Sequence, residues 1–446
     1  MTTPRDPLHG PIVPVFLHYA IPSVLGMVAV TSAGIIDGVF IGNFVGSTAL
    51  AAVNIAQPMW AVFAAIVFML AVGGSVMCGK FLGAGDQPAA ADIFTRTLLA
   101  TTGLGLLISI LCLLFLPQVV TLLGANEELR PLVSEYMRII LWFAPLLIAA
   151  LTLDYFVRVD GRPILASAAL ISFALINICL NYLFIVRMGW GIKGAAWASA
   201  LADLAIFVIL VTHLFSARCS LYFVPVRKGW RRMLSAAWNG FSEFANELSV
   251  GLIVLLFNWV MITRLGVVGV AAYTIIGYLV MIGLEVSYGI SESLQPLVSK
   301  NLGAGQNLRI RQFLLTGMTA AFSVGLLVGS IFLLAPNWMI GLFLGPDEEE
   351  VIAVASEFMR YFWPAFLFNG LNITLASYFT ALHRPAQSAL IAVARSLVLP
   401  GVGLLLLPTL FGDRGIYLAV PVAEALTLLL ALYLVWRYGP VHDDGA

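Results

Sequence analysis

Residues 80–85 of the chain read Lys-Phe-Leu-Gly-Ala-Gly, and residues 300–305 read Lys-Asn-Leu-Gly-Ala-Gly. The two copies are 220 positions apart, and the same offset aligns residues 46–55 with residues 266–275 at four identical positions. Two further matches have an offset of 222 positions: residues 134–138 with residues 356–360, and Arg162-Pro163 with Arg384-Pro385. Because separate matches share nearly one offset, the sequence predicts a chain built from two similar halves.

The composition indicates a lipid environment. Hydrophobic residues make up 61% of the 446 residues and charged residues only 10%, whereas soluble proteins carry about 25% charged residues. Twelve apolar runs reach the roughly 20 residues that a helix needs to cross a bilayer. They predict an all-α integral membrane protein with twelve transmembrane helices, at 14–41, 50–73, 93–116, 131–156, 163–186, 192–215, 236–262, 268–295, 310–334, 352–380, 386–410 and 416–437.

Lysine and arginine residues set the predicted orientation, because cytoplasmic loops are enriched in them. With the N-terminus inside, fifteen of these residues face the cytoplasm and seven face the exterior. Both termini are then cytoplasmic, and Asp347-Glu348-Glu349-Glu350 form an external acidic loop. We expect the first apolar stretch to remain in the mature protein, because it continues to Ile41 and is too long for a signal-peptide core.

The basic cluster from Arg218 to Arg232 marks the best boundary between the halves, and we interpret it as an orientation signal and linker. Contact with anionic lipid headgroups is the alternative. The prediction is an N-terminal lobe at 1–217 with helices one to six, a cytoplasmic linker at 218–235, and a C-terminal lobe at 236–446 with helices seven to twelve. Six crossings return the chain to its starting side, so the lobes are predicted to be related by a pseudo-two-fold axis along the membrane normal. Secondary transporters with such repeats alternate access by rocking their halves.

A single carboxylate, Asp37, lies near the outer end of the first predicted helix. An ionised Asp at the centre of a membrane helix costs about 2.5–3.5 kcal/mol on insertion scales, so it is normally kept for ion or substrate handling. Asp37 therefore predicts a transporter. The sequence contains no nucleophile–base pair, metal-ligand cluster, Walker loop or dinucleotide fingerprint. Its 23 basic and 23 acidic residues balance, which gives no reason to expect a nucleic-acid partner.

Several motifs carry a family resemblance: Ile36-Asp37-Gly38, Asn54-Ile55-Ala56-Gln57-Pro58, and residues 287–297 leading into Leu302-Gly303-Ala304-Gly305. They resemble the multidrug and toxic compound extrusion (MATE) family, and more narrowly its MepA-like bacterial branch, over essentially the whole chain. The resemblance implies a V-shaped antiporter in the bacterial cytoplasmic membrane that exports amphipathic, often cationic compounds against protons or sodium ions. We expect a monomer surrounded by membrane lipids, with no cofactor beyond the coupling ion.

The resemblance also implies a coupling-cation site formed by Asp37, Asn177, Asn181 and Ser199. This chain has Asn181 where the family motif commonly has Asp, which leaves one carboxylate in place of two. At 1.5 Å per residue, the four residues lie about 6 to 13 Å below the outer ends of their predicted helices. They therefore share the outer half of the membrane, and the i,i+4 spacing of the two asparagines places both on one helix face.

Two ions suit these oxygen ligands. Loss of one negative charge should weaken sodium binding, which favours a proton over a sodium ion at Asp37, Asn177, Asn181 and Ser199. The alternative is that the two asparagines and the serine only form hydrogen bonds between helices.

The predicted C-terminal lobe has polar residues of its own. Glu243 and Glu247, with Asn246 beside them, lie about 10 and 17 Å into a helix that enters from the cytoplasm, and they suit a cationic substrate or a second protonation site. Arg395 lies about 15 Å into the eleventh helix and needs a partner. A structural ion pair with Glu247 is the alternative to a functional role, and Glu285 is a second candidate partner. No role is assigned to Asp203 and Glu424, and solvation near the cytoplasmic interface accounts for Asp154, Asp160 and Glu292.

Two other functions compete with drug export. A lipid-linked sugar flippase of the same broad superfamily is expected to line its cavity with several Arg and Lys residues, whereas Arg395 is the one such residue at depth. An integral-membrane enzyme could use Glu243, Glu247 and Arg395 for acid–base chemistry. The two-fold repeat favours alternating access over enzymatic activity.

Overall fold

The computed structural model describes residues 5–226, 229–341 and 348–439. Within these ranges the chain is helical and contains no β-strand, which confirms the predicted all-α fold. A π-helical turn, Tyr182–Arg187, continues α6, and a second, Ala394–Val398, joins α14 to α15. The helices are α1 Ile12–Phe44, α2 Ser47–Gly83, α3 Gln87–Leu114, α4 Leu116–Leu122, α5 Arg130–Val159, α6 Pro163–Asn181, α7 Gly191–Leu214, α8 Arg231–Asn239, α9 Phe241–Gly303, α10 Asn307–Leu334, α11 Pro336–Ile340, α12 Glu349–Phe362, α13 Ala365–Ala381, α14 Pro385–Val393, α15 Leu399–Phe411 and α16 Arg414–Tyr438.

The described helices supply the twelve predicted spans. Ten helices are long and apolar enough to cross a membrane, and α12 with α13 forms an eleventh span that is bent by 56°. Helix α9 has 63 residues, about 95 Å at 1.5 Å per residue, which is three times the roughly 30 Å of the hydrocarbon core. Its backbone leaves the helical region at Gly266, where φ is 62° and ψ is −154°. Gly266 therefore divides α9 into two spans.

The repeated motifs form the same turns in both halves. Gly46, between α1 and α2, has a φ of 117°, and Gly266, 220 positions later, has a φ of 62°. Gly85 and Gly305 end the Leu-Gly-Ala-Gly motifs with φ values of 77° and 69°, a conformation that glycine adopts without steric cost. Each motif closes a helix in the manner of a Schellman turn, with 2.9 Å hydrogen bonds from Asp86 N to Phe81 O and from Gln306 N to Asn301 O.

The repeated Arg-Pro pairs also follow matching turns, but with different residues. Gly161 precedes the first pair and has a φ of 96°, whereas His383 precedes the second and has a φ of 57°. Among the described residues, His383 is the non-glycine residue with positive φ. The positive φ is thus retained at this position of the repeat, although the residue changes from glycine to histidine.

Several predicted helix boundaries differ from the structure by a few residues, as in the second span, which is Ser47–Gly83 rather than 50–73; two differences change how the chain is divided into helices. The seventh span begins at Phe241 rather than at 236, because Arg231–Asn239 form the separate helix α8, which starts in the predicted linker 218–235 and ends four residues beyond it. The predicted helix at 352–380 is interrupted between α12 and α13, at Trp363-Pro364. Arg227 and Lys228 of the basic cluster, and Asp347 of the acidic loop, lie outside the described residues.

The chain divides into two compact units. One contains Ile21–Gly240 and the other contains Met1–Ala20 with Phe241–Ala446. The first twenty residues, which the sequence analysis placed in the lobe at 1–217, therefore group with the second unit. There the carbonyl of Pro7 accepts hydrogen bonds from Asn301 Nδ2 over 3.2 Å and from Arg309 Nη2 over 2.8 Å.

Each unit has its own hydrophobic core. In the unit Ile21–Gly240, two clusters pack large side chains such as Met137 and Phe156. In the other unit the core includes a series of aromatic rings, in which Phe257 stacks on Tyr273 with ring centroids 5.0 Å apart and Phe358 stacks on Tyr417 at 4.8 Å. These cores fix the helices that carry the polar clusters.

Helices α2 and α8 touch through their backbones. A Cβ atom added to Gly73 would lie 1.9 Å from the carbonyl oxygen of Ala236. We therefore expect Gly73→Ala to destabilise the protein by about 1–3 kcal/mol, as overpacking does, because a helix backbone cannot move aside as a side chain can. Gly103→Ala is the control, since nothing lies within 4 Å of an added Cβ there. Thermal unfolding of both variants in detergent is the measurement, and equal melting temperatures would contradict the expectation.

Candidate functional site

Three helices of the unit Ile21–Gly240 bring the four predicted cation-site residues together. Asn181 Nδ2 donates to Asp37 Oδ1 over 2.8 Å and to Asn177 Oδ1 over 3.1 Å. Asn177 Nδ2 donates in turn to Ser199 Oγ over 3.2 Å. A continuous chain of hydrogen bonds therefore connects α1, α6 and α7, from Asp37 to Ser199.

The local fold of α6 positions the two amides. Asn177 and Asn181 are one turn apart on the same helix face and are only 2% and 0% exposed. Directly after Asn181 the helix widens into the π-helical turn, in which Met188 N bonds to Leu183 O, five residues earlier, over 2.9 Å. Single π-helical turns inside helices are frequent at functional sites.

The charge of this cluster is not neutralised by a cationic side chain. Asp37 accepts its hydrogen bond from the neutral amide of Asn181, and within the described ranges no Lys, Arg or His forms an ion pair with it. Asn181 Oδ1 is buried and has no hydrogen-bond partner among the described residues. The arrangement can therefore take up a proton or a cation at Asp37, and it offers an unused acceptor on the adjoining amide.

Two further residues near this cluster have no predicted role. Asp203 lies on α7 one turn beyond Ser199 and is 7% exposed. The phenol of Tyr136 on α5 lies within electrostatic range of both Asp37 and Asp203. The i,i+4 spacing of Ser199 and Asp203 is the sequence signal that could have identified the second acid.

A second polar network lies in the unit that contains Phe241–Ala446. The Glu424 carboxylate accepts hydrogen bonds from Arg395 Nε over 3.1 Å, from Asn369 Nδ2 over 2.8 Å and from Asn372 Nδ2 over 2.7 Å. Glu424 is 2% exposed and Arg395 is 8% exposed. This buried ion pair has the additional hydrogen bonds that such a pair needs in order to be tolerated.

Asn246 extends this network. Its Oδ1 accepts from Ser396 Oγ over 3.0 Å, and its Nδ2 donates to the Tyr288 hydroxyl over 3.3 Å. The Tyr288 hydroxyl also forms a hydrogen bond with Arg395. Asn246 and Arg395 are therefore in one network, as their sequence positions suggested, and the network joins α9, α13, α16 and the second π-helical turn.

The predicted partners of Arg395 are wrong. Its ion pair is with Glu424, and within the described residues it forms none with Glu247 or Glu285. Because α9 begins at Phe241, Glu243 and Glu247 lie about 3 Å and 9 Å into the helix rather than at the predicted depths. The pairing itself follows from helix faces: Asn246 of α9 is in the Arg395 network, whereas Glu247, about 100° further around the helix, lies near Glu243.

Glu243 belongs to a separate group of acids. Gln295 Nε2 lies 3.5 Å from Glu243 Oε1, and Glu243 is within electrostatic range of Glu292 and Glu247. Glu285, on the second span of α9, is partly buried. Glu243 and Glu247 are thus together, as predicted, but not with Arg395.

The expected solvation of Asp154 and Asp160 is also wrong. Asp154 Oδ2 pairs with Arg158 Nε over 2.8 Å, and both side chains are buried. Asp160 Oδ2 pairs with His213 Nε2 over 2.7 Å and accepts a hydrogen bond from Ser220 N over 3.0 Å. Short-range ion pairs that α5 forms with itself and with α7 therefore replace water at these carboxylates.

A family model described as MatE matches residues 22–183 and 246–403, more than two thirds of the chain. The chain belongs to the MatE family. The match includes the helices that carry Asp37, Asn177 and Asn181, and it ends beyond Arg395. It confirms the resemblance to the multidrug and toxic compound extrusion family that the motifs indicated.

Relatives of this MatE protein place it in the MepA-like branch. The multidrug export protein MepA of Staphylococcus aureus strain MSSA476 is 23% identical over 440 residues, which cover 96% of this chain and 94% of the relative. MepA of Staphylococcus haemolyticus strain JCSC1435 is 24% identical over 422 residues, covering 94% and 92% of the two chains.

Solved structures show the same fold. A MATE protein in complex with MaL6 superimposes with a TM-score of 0.93 at 20% identity, with both chains covered completely. An outward-facing multidrug resistance MATE family transporter gives 0.92 at 22% identity, again over both whole chains. A MOP superfamily transporter from Pyrococcus furiosus gives 0.90 at 22% identity over 98% of each chain. The twelve-helix architecture of this protein is therefore the MATE fold.

The Arg395–Glu424 pair generates a prediction for stability. Arg395→Met or Glu424→Leu alone leaves an uncompensated buried charge, so we expect each to cost about 3–5 kcal/mol. The double variant removes both charges and should recover much of that loss. Glu247→Gln is the matched control and should unfold near the wild-type temperature, because Glu247 forms no ion pair with Arg395. Thermal unfolding of the four variants is the measurement, and additive losses in the double variant would show that the two residues are not coupled.

Proposed function

We propose that this MatE protein exports amphipathic cationic small molecules across a bacterial cytoplasmic membrane in exchange for a coupling cation that is carried at Asp37. Its similarity to the multidrug export protein MepA supports the direction and the substrate class. The single observation that carries the coupling role is the environment of Asp37, whose carboxylate lies inside a membrane span and, among the described residues, accepts its hydrogen bond from a neutral amide and forms no ion pair.

The proposed cycle follows from the charge of this carboxylate. A membrane interior disfavours an ionised carboxylate, so Asp37 in its ionised form favours uptake of a cation. When the coupling ion occupies Asp37 the cluster is neutral. A cationic substrate then loses its electrostatic attraction to the site and dissociates. When the ion has left toward the cytoplasm, the negative charge is available again. Rocking of the two halves, 1–217 and 236–446, then alternates access as in other transporters with internal repeats.

The donor and acceptor pattern supports a proton as the coupling ion. Hard cations such as sodium require oxygen ligands, but Asn181 directs its N–H group toward Asp37 and Asn177. Asn177 likewise directs its N–H group toward Ser199. The two amides therefore stabilise a carboxylate that gains and loses a proton. Sodium at Asp37, Asn177, Asn181 and Ser199 is the alternative; Asn181 Oδ1 has no hydrogen-bond partner among the described residues, whereas Asn177 Oδ1 already accepts the hydrogen bond from Asn181.

The C-terminal network supports a transporter over the flippase and enzyme alternatives. A flippase needs free cationic groups for a pyrophosphate, and the buried Arg395 is already paired with Glu424. The same ion pair gives Arg395 a structural role, which argues against its use in acid–base chemistry. We propose that the protein is a monomer surrounded by lipids, with both termini in the cytoplasm and no organic cofactor. Substrate contact or a second protonation site is assigned to Glu243, Glu247 and Glu285.

The first test removes the charge at Asp37. Asp37→Asn should abolish export driven by a proton gradient while leaving the fold intact, because Asn preserves the shape but cannot gain or lose a proton. Efflux of ethidium from proteoliposomes under an imposed pH gradient is the measurement, with the melting temperature as the folding check. Glu128→Gln, at an exposed position, is the control and should export normally. Efflux at the wild-type rate by a folded Asp37→Asn variant would contradict the proposal.

The second test restores the missing carboxylate. Asn181→Asp removes both hydrogen bonds that Asn181 Nδ2 donates and places a second negative charge beside Asp37. We expect the variant to gain stabilisation by sodium, because a cation can then bridge two carboxylates. A thermal-shift titration with sodium chloride against choline chloride measures this gain, with the exposed change Asn126→Asp as the control. An unchanged response to sodium would count against the role assigned to position 181.

A further inference from the structure

Asp203 differs from the other deeply buried acids of the described chain. Three acidic residues in these ranges are buried, namely Asp154, Asp203 and Glu424. Asp154 pairs with Arg158, and Glu424 pairs with Arg395. For Asp203, no residue in the described ranges forms a hydrogen bond or an ion pair. The two buried carboxylates with a structural role, Asp154 and Glu424, are each neutralised by an arginine. Among the described residues, Asp203 has no such partner.

The face of α7 that carries Asp203 is the face that carries Ser199. The two residues are four positions apart, so their side chains leave the helix in the same direction. Ser199 Oγ accepts a hydrogen bond from Asn177 on α6, which shows that this face is turned toward the amide cluster. Asp203 therefore lies next to the site residue Ser199, one helical turn deeper in the membrane.

The charged and titratable groups that face Asp203 are few. Helix α6 contains no charged residue. Tyr136, on α5, lies within electrostatic range of both Asp203 and Asp37. The ion pairs of α5 and α7 lie toward the two ends of these helices: Lys193 Nζ lies 2.6 Å from Glu135 Oε1 toward one end, and Arg158 pairs with Asp154 and His213 with Asp160 toward the other. Asp37 and Asp203 thus share one phenol as a neighbour, and within the described residues neither forms an ion pair.

A second observation indicates that this space receives a ligand. Asn181 Oδ1 is buried and accepts no hydrogen bond from the described residues, although its own amide nitrogen donates twice. A buried acceptor without a donor is unfavourable and needs an explanation. A protonated carboxyl group or a cation that enters the cluster would supply the missing donor.

We propose that Asp203 is a second ion-carrying carboxylate of this site, so that two protons enter for each substrate molecule that leaves. Asp37 and Asp203 each bind one proton from the outer side, become neutral carboxyl groups, and each release that proton to the cytoplasm. This inference rests on the proposed function, because it counts the ions that the exchange uses. In this proposal Asp203, on the neighbouring helix α7, supplies the second carboxylate that Asn181 lacks.

The number of protons is measurable from the charge that moves. Ethidium is a permanent monovalent cation, so exchange for two protons transfers one net positive charge inward, and exchange for one proton transfers none. Proteoliposomes containing the full chain are loaded with ethidium at a fixed pH gradient, and potassium gradients with valinomycin set the membrane potential. For wild type, the ethidium ratio at which net flux is zero should shift tenfold for about 59 mV of potential, the value for one transferred charge.

Asp203→Asn should keep pH-driven ethidium export and lose this dependence on potential, because one proton remains. Glu128→Gln is the matched control and should shift with potential as the wild type does. If Asp203→Asn fails to fold, Asp203→Ser provides a second neutral side chain for the same measurement. A potential-independent wild type, or an Asp203 variant that retains the full tenfold shift, overturns the inference. Loss of ethidium binding in a folded Asp203 variant also overturns it, because Asp203 would then hold substrate rather than a proton.

These outcomes are separate from those that test the proposed function. If Asp37→Asn still exports ethidium in response to a pH gradient, the proposed function fails whatever Asp203 does. If Asp37→Asn is inactive while Asp203→Asn behaves as wild type, the proposed function stands and only the second carrier is removed.

Discussion

The cost of an ionised group inside a membrane is the constraint on which this structure depends. Such a group is tolerated when an opposite charge and additional hydrogen bonds surround it. Glu424 meets these conditions with one arginine and two asparagines, and Asp154 meets them with Arg158. Asp37 and Asp203 do not, since the described residues provide no cation for either. The distribution of neutralised and unneutralised acids therefore separates the residues that hold helices together from those that suit ion exchange.

The two halves use one backbone plan for different purposes. The turns at Gly46 and Gly266, and those at Gly85 and Gly305, keep a glycine with positive φ across the repeat. The polar residues do not follow the repeat in the same way. The unit Ile21–Gly240 holds a chain of neutral amides that ends at a free carboxylate, whereas the other unit holds a closed network around Arg395. Both networks lie beside a π-helical turn, at Asn181 and at Arg395, where a helix departs from regular spacing.

Much of the fold and part of the site could be predicted from the sequence, for identifiable physical reasons. Apolar runs and glycine-containing turns are local signals, so the twelve spans and the repeat were accessible. Asn177 and Asn181 share a helix face by spacing alone, and Asp37 stands out by its charge. The partner of Arg395 was not accessible, because it depends on which faces of α9 and α16 are turned toward the arginine. Asp203 was missed for a related reason: its isolation is visible only when the surroundings of every buried acid are compared.

The even number of spans in each half has a consequence for how such a chain could arise. A polypeptide with six spans begins and ends on the same side of the membrane, so two copies of a half-length ancestor would insert in the same direction. They could associate as a parallel pair and later be joined head to tail by a short segment, without either copy reversing its topology. His383, in a left-handed position where the first copy has Gly161, is the kind of divergence that follows once the two copies no longer need to be identical.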